Sequence, residues 1–324
     1  MCSLLGINLP IAQAPIGSAT TPELVAAVSN AGGLGSLALS WRDSAEVRAV
    51  LRRTRELTSR PFAANLVLEW PQEERLQICL EQEVRIISTF WGDPSPIMEL
   101  AHNAGAVVIH AVGSVAEAVT AAGAGVDVVV AQGVEAGGHV RGREQIHRLL
   151  SSVLDAVAST PVFAGGGVAD VEDAAALFKL GADGVWVGTR FLCSEEAGVD
   201  RSYQEAILKA REGDTILTKL FTKGWEDAPH RVLTNSTVRA WLDAGKPPVG
   251  GRPGEQDVVA EDPGGRAIER YSDVIPVRGS RGNLEALALY AGVGAAKINT
   301  ILPASDIITE LAGTGRRPAA QRVV

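Results

Sequence analysis

The chain has 324 residues, with 30 Lys and Arg against 38 Asp and Glu, a net charge of −8 with histidine neutral; an acidic surface of this kind repels nucleic acid and anionic membrane alike. At 46% apolar and 21% charged residues, the composition is that of a folded globular protein and excludes a disordered one. Cys2, Cys79 and Cys193 are odd in number and far apart, without a C-x-x-C pair, which excludes a disulfide framework or a cysteine zinc site.

In chain order, the first basic residue is Arg42, so the start lacks the positive region of a secretory signal, and no apolar run approaches the roughly 18 residues of a membrane span. A cytoplasmic location is expected. Short apolar runs begin near Ile11, Gly35, Phe62, Arg85, Ala106, Asp127, Val162 and Gly184, at intervals of about 20 to 27 residues except one, which suits one strand plus one helix per unit. Thr21-Pro22 supplies a cap and a first-turn proline for a helix ending at Gly32. Ser114-Val115-Ala116-Glu117 is a capping box for a helix ending at Gly123. Asp170 opens another, with Val171, Ala174, Ala175 and Phe178 on one face and Gly181 past its end. Strands such as 126–130 are apolar almost throughout, as parallel strands covered on both faces are.

Eight such units close a parallel barrel whose active site lies at the C-terminal ends of the strands. The alternative, an open doubly wound sheet, would cluster its glycines after the first strand, whereas here Gly-rich segments follow strands six, seven and eight. The fold class expected is therefore α/β, a (β/α)8 TIM barrel over residues 1–225, with a helical C-terminal extension over 226–324. Within and beyond the boundary, a helix is expected near Arg201–Ala210, the Gly- and Pro-dense stretch from Ala244 to Gly265 reads as loop, and helices return between Asn283 and Leu311, Pro303 starting the last. Residues 244–282 are placed as a lid or an assembly contact of a homo-oligomer.

The one long interval, between Asp127 and Val162, contains Gln132-Gly133-Val134-Glu135-Ala136-Gly137-Gly138-His139. A histidine on a Gly-rich loop at the catalytic end of a barrel is suited to acid/base work, since its ordinary pKa of about 6.5 lets it trade protons near neutrality. Ala164-Gly165-Gly166-Gly167 and Gly188-Thr189 form two neighbouring loops of bare amides, a phosphate cradle that suits a sugar phosphate, a nucleotide or flavin mononucleotide (FMN). The six lysines, Lys179, Lys209, Lys219, Lys223, Lys246 and Lys297, all fall away from barrel strand ends, which excludes Schiff-base and pyridoxal-phosphate chemistry. His102, His110, His147 and His230 form no H-x-H or H-x-x-x-H pair with one another or with His139, so no metal site is expected, and only His110 joins His139 near the mouth. Glu69, Asp93 and Glu135 read as solvated loop charges. Trp41, Trp70, Trp91 and Trp186 read mainly as packing, Trp91 being placed to wall an aromatic ligand. Neither a P-loop nor a first-unit G-x-G-x-x-G is present.

Taken together, IAQAPIG with TPELVAAVSNAGGLGSL, then AANL, STFWGDP, QGVEAGGH, PVFAGGGVAD and GVWVGTRFL, in this order over residues 4–225, resemble the nitronate monooxygenase family. A weaker echo runs from Tyr290 to Leu311. The resemblance implies a TIM barrel holding FMN, with Ala14, Pro15 and Ile16 against the isoalloxazine and Asn65 and Gln132 hydrogen-bonding to it. It implies that Gly137, Gly138, Gly166, Gly167, Val187, Gly188 and Thr189 hold the ribityl and phosphate, and that His139 is the catalytic base. The implied reaction oxidises an alkyl nitronate or nitroalkane with O2 to a carbonyl compound and nitrite.

Ile16 stands where the family usually has methionine, AANL replaces an FNL-type segment, and Val140 separates His139 from Arg141. These departures bear on the substrate side. NAD(P)H-dependent FMN reductases of enoyl-acyl-carrier-protein or quinone substrates resemble the chain almost as well. The enoyl reductases tend to carry Glu where Gln132 stands, which favours the nitronate side.

Overall fold

The computed structural model describes residues 1–313. The barrel strands are β1 (Ile11–Gln13), β2 (Gly35–Ala38), β3 (Phe62–Val67), β4 (Ile86–Phe90), β5 (Val107–Val112) and β6 (Val128–Gln132). After a two-residue strand outside the barrel, β7 (Gly138–His139), come β8 (Val162–Gly165) and β9 (Gly184–Val187). All eight pair in parallel in the order β1-β9-β8-β6-β5-β4-β3-β2. A parallel bridge between Ala12 and Leu34 closes the ring, with Gln13 N–H donating to the Leu34 carbonyl at 2.9 Å. This is the (β/α)8 TIM barrel, and each strand begins within one residue of the expected start.

Packing explains why apolar runs became strands here. Ala12, Ala63, Ile86, Ile109, Val128, Val130 and Phe163 fill the lower barrel, plugged from below by Leu5 and Ile7. Their neighbours on the other strand face, Ile87, Val108, Val129 and Val185, pack outward on the helices. A strand buried on both faces has no polar side to alternate.

Local caps set the helices. Thr21 accepts from Leu24 N–H at 3.0 Å ahead of Pro22–Asn30, and Asp170 accepts from Asp173 N–H at 2.8 Å ahead of Val171–Lys179. Ser114 caps Val115–Gly123 as expected, but the returning Glu117 carboxylate takes the N–H of Gly113 instead of that of Ser114. In Val171–Lys179 the buried pair is Ala174 and Leu177; Ala175, expected on that face, is exposed.

Beyond the barrel, the helix Arg201–Leu208 forms as expected. Strand β10 (Thr215–Thr218) pairs antiparallel with β11 (His230–Leu233), which pairs with β7. The helix Ser236–Asp243 follows, then a small sheet of β12 (Val258–Glu261), β13 (Ala267–Glu269) and β14 (Arg281–Gly282). The Gly- and Pro-dense stretch is therefore not all loop. β12 and β13 form because Val259, Ala260 and Ile268 bury against Ala286 and Leu287.

Residues after Asn283, expected to return to helix, do so only at their end. Only Ala304–Leu311 is an α-helix, started after Pro303; Leu284–Ala286 and Val293–Lys297 are 3-10 turns. Residues 287–292 are buried and run extended, Leu233 N–H donating to the Leu289 carbonyl and Ala288 N–H to that of Val274. Alanine and leucine favour helix locally, but a backbone threaded between β11 and residue 274 gains its hydrogen bonds from both neighbours, and tertiary context overrides propensity. Among the described residues no helix is long and apolar enough to cross a membrane.

Candidate active site

At the C-terminal ends of the barrel strands lies a cavity of about 1180 Å³. Of the residues expected around a cofactor, Ala14, Pro15, Ile16, Asn65, Gln132, Gly137, Gly138, Gly166, Gly167, Gly188 and Thr189 line it, as does His139. Val187 does not. Its side chain is 1% exposed in the core between barrel and helices, and only its carbonyl turns to this region, accepting the Ala14 N–H at 2.8 Å.

A belt of buried polar groups tops the apolar barrel interior. Gln13 accepts the Ser36 N–H at 2.9 Å, and the Asn65 carboxamide donates to the Ser88 hydroxyl at 3.1 Å and to its carbonyl at 3.3 Å. Gln132 is likewise tied to the protein: it donates to the His139 carbonyl at 3.1 Å and accepts from Arg141 N–H at 3.4 Å. Its side chain thus clamps the Gly-rich loop as well as lining the cavity.

Gly166 and Gly167 have φ of +124° and +76°, a left-handed backbone that suits glycine, and they turn β8 across the cavity floor. At the start of the helix that follows, the Asp170 carboxylate accepts the Asp173 N–H, the Asp173 carboxylate accepts the Ala169 N–H, and Lys297 pairs with both carboxylates. On the neighbouring loop the Thr189 hydroxyl accepts the Gly292 N–H at 3.0 Å.

His139 sits in β7, held by the register His139↔His230 with β11 and by Val140 N–H donating to the Pro229 carbonyl at 2.8 Å. Arg231 fastens the same loop through two bonds to the Val134 carbonyl. Glu135, expected to be solvated, is half-buried and accepts the Ile146 N–H at 3.0 Å, capping the helix Ile146–Ala156. Val140 is fully buried behind the loop and does not reach the cavity.

The imidazole of His139 stacks on Trp225, centroids 4.1 Å apart, with His230 and Tyr290 each at 5.5 Å. Its Nε2 is buried without a hydrogen-bond partner and stands 3.8 Å from Asp273 Oδ2. Burial, then the neighbouring His230, pushes the His139 pKa down to about 3, so the ring is neutral at neutral pH. Asp273 is pushed up to about 7 by burial, against which the Tyr290 hydroxyl, donating to Oδ1, pulls it down.

His230 is a fixed neutral wall: Nδ1 faces the Ala228 carbonyl at 2.9 Å, Nε2 accepts the Phe221 N–H at 3.2 Å, and burial holds its pKa to about 4. His110 is buried on β5, bonded to Thr89 at 2.8 Å, and is not on the cavity wall.

No local pattern points to Lys223, Trp225, Asp273 or Tyr290 on this wall, yet all four line it. All come from beyond the last barrel strand, up to about 150 residues from His139 in the chain, and a pairing between β7 and β11 cannot be read from spacing. Lys223 lies away from the barrel strand ends, as expected, yet lines the cavity from the later segment, its ammonium paired with Glu269. Trp91 and Trp70 stand edge-on to Trp225 at 4.8 Å each, and Trp41, 55% exposed, carries the aromatic wall to the rim.

Comparison with known proteins agrees with this architecture. A family model described as nitronate monooxygenase matches residues 1–74 and 69–313. A (3aS,4S,5R,7aS)-5-hydroxy-7a-methyl-1-oxo-octahydro-1H-indene-4-carboxyl-CoA dehydrogenase of Rhodococcus jostii is 34% identical, over 76% of this chain and 68% of that protein. The nitronate monooxygenase of Pseudomonas aeruginosa is 33% identical over 95% of this chain and 96% of its own length. The solved structure of FabK from Thermotoga maritima superposes with a TM-score of 0.80 at 29% identity, covering 97% of this chain and 94% of that one. With the family model matching along the described chain and the Pseudomonas relative matching nearly end to end, the chain belongs to the nitronate monooxygenase family and is a flavin-dependent oxidoreductase.

Proposed function

We propose that the protein binds FMN non-covalently in this cavity and oxidises alkyl nitronates or nitroalkanes with O2 to a carbonyl compound and nitrite, His139 serving as the base. The observation that carries the proposal is the neutral, buried His139 imidazole on the wall of a glycine-floored cavity at the catalytic end of the barrel. About 1180 Å³ exceeds the roughly 300–1,000 Å³ of an ordinary small-ligand pocket, leaving room for a flavin nucleotide and a small substrate.

The residues fit the cofactor. Gly166, Gly167, Gly188 and Thr189 would hold the phosphate through backbone amides, and a side chain at Gly167 would press within 3.3 Å of Glu135 and Val293. Ala14, Pro15 and Ile16 would face the ring, with Asn65 and Gln132 as its polar neighbours. The bound flavin supplies the electron-accepting chemistry.

The chain's own residues do the rest. His139 accepts the α-proton of a neutral nitroalkane, which a protonated ring could not do. Trp225 and His230 fix the plane of the imidazole, and the aromatic wall keeps water from its face. O2 and a small organic donor would be the partners of this reaction.

His139→Ala is expected to keep its flavin and lower turnover of a neutral nitroalkane by about 10²- to 10⁴-fold, the usual worth of a general base. Turnover of the preformed nitronate should suffer far less. Steady-state oxygen consumption on both forms measures this, and an unchanged nitroalkane rate would remove His139 from the mechanism.

A second reading, a NAD(P)H-dependent FMN reductase of enoyl or quinone substrates, draws support from the 34% identity to a CoA-ester dehydrogenase. The two readings part on which donor reduces the flavin.

A further inference from the structure

His139 presents a difficulty as a base. Buried and alone, its imidazole is held to about 3, whereas efficient proton abstraction calls for a pKa near the working pH. A negative charge beside the ring would restore basicity, and one group is placed to provide it.

Asp273 Oδ2 lies 3.8 Å from His139 Nε2, and each side chain is only 12% exposed. Nε2 is shut off from solvent and has no other partner, so a substrate in the cavity meets the ring through its other nitrogen, Nδ1. Asp273 is itself held in place. The Tyr290 hydroxyl donates to its other oxygen, the Tyr203 hydroxyl donates to the Tyr290 carbonyl, and the Asp273 N–H donates to the Lys223 carbonyl at 2.8 Å.

We propose that Asp273 is the positioning partner of His139, its carboxylate accepting the Nε2–H so that Nδ1 is left as the proton-accepting nitrogen. The contact needs to shorten by less than 1 Å to become a hydrogen bond, and apo sites commonly tighten when substrate binds. A carboxylate behind an imidazole fixes its tautomer and stabilises the imidazolium that forms when the ring takes a proton. With Asp273 protonated instead, its O–H donates to Nε2, the ring hydrogen moves to Nδ1, and the base is switched off.

The ionisable groups around the pair are His230, Tyr290, Tyr203, Lys223 and its partner Glu269. His230 is locked neutral by its two backbone bonds. Both tyrosines are held far above their ordinary range by burial and stay protonated, and the Lys223 ammonium is engaged by Glu269. Asp273, pushed up to about 7, is thus the group that titrates near neutrality, and nitroalkane activity is expected to rise with pH through about 7.

The inference rests on the nitronate reading for its kinetic arm only. Nitrogen-15 spectroscopy of the imidazoles, with His139 assigned by its loss in His139→Asn, is expected to show the Nε2-protonated tautomer in the flavin-loaded wild type above pH 7. Asp273→Asn, whose amide donates to Nε2, should shift the ring to the Nδ1-protonated form. The same variant should lose about 10²-fold in turnover of neutral nitroalkane while preformed nitronate changes less than about 3-fold.

Should Asp273→Asn fail to fold, Tyr290→Phe serves. Removing the hydroxyl that lowers the Asp273 pKa should move the acidic limb of the nitroalkane profile to higher pH. An unchanged tautomer in Asp273→Asn, or an unmoved limb in Tyr290→Phe, overturns the pairing. A wild-type protein inert towards every nitroalkane yet showing the tautomer shift would overturn the nitronate reading and leave the pairing standing.

Discussion

Burial decides the protonation states around His139, and it leaves a signature on the stability of the whole chain. His110, His139 and His230 are pushed down to about 4, about 3 and about 4, chiefly by desolvation. In the unfolded chain each takes a proton near pH 6.5, so the unfolded state binds more protons between about pH 4 and 6.5 and stability is lost as the pH falls through that window. Asp273, pushed up to about 7, acts in the opposite sense over the same range, since the native state keeps a proton that the unfolded chain releases. Three protons taken up against one released leave a net loss of stability on acidification. Melting temperatures are expected to fall from about pH 7 to about pH 5, and His110→Gln should roughly halve that slope. A melting temperature that holds or rises on acidification would contradict neutral buried histidines. At this scale the sequence was partly legible. His139 could be picked out by its glycines, but His230 looked like any lone histidine, and Asp273 like any loop carboxylate.

Among the elements, the two-residue strand β7 matters most, because its pairing with β11 turns a flexible Gly-rich loop into a fixed support for His139. The two glycines ahead of the histidine do different jobs. A Cβ on Gly137 would lie 2.4 Å from Gly292 N, so the loop and residues 291–292 would have to part. A Cβ on Gly138 meets nothing, and there the cost is the backbone at φ +73°. Gly137→Ala should destabilise by about 1–3 kcal/mol and lower the flavin-to-protein ratio of the purified protein. Gly138→Ala should cost about 1–2 kcal/mol of strain and retain flavin. Equal flavin content in the two variants would contradict the close approach. Barrel strands were legible to within a residue, since a parallel strand covered on both faces is written as an uninterrupted apolar run. β12 and β13 were not. They bury only Val259, Ala260 and Ile268, too few to stand out among glycines and prolines. Residues 287–292 misled in the other direction, helix-forming side chains held extended by β11 and its neighbours.

At the scale of the molecule, the barrel provides the floor of the site and the residues after it provide the wall. Arg190, at the end of β9 and 4% exposed, reaches the Thr300 carbonyl at 3.0 Å and Glu310 at 3.4 Å, binding the barrel to the last helix. Ile307, Ile308 and Leu311 of that helix belong to the same buried cluster as Ile11 and Leu24. Eight repeated units announce a barrel, and the glycines after strands six to eight announce its working end. How the remaining chain returns over the mouth depends on contacts between distant segments, which no local pattern encodes. Which donor reduces the flavin proposed for this cavity separates the nitronate reading from the reductase one. The purified protein should be held under anaerobic conditions and its visible spectrum followed after adding an alkyl nitronate and, separately, NAD(P)H. Bleaching of the flavin band by the nitronate and not by NAD(P)H is the predicted result; bleaching by NAD(P)H with the nitronate inert, or a colourless protein that takes up no FMN, would contradict it.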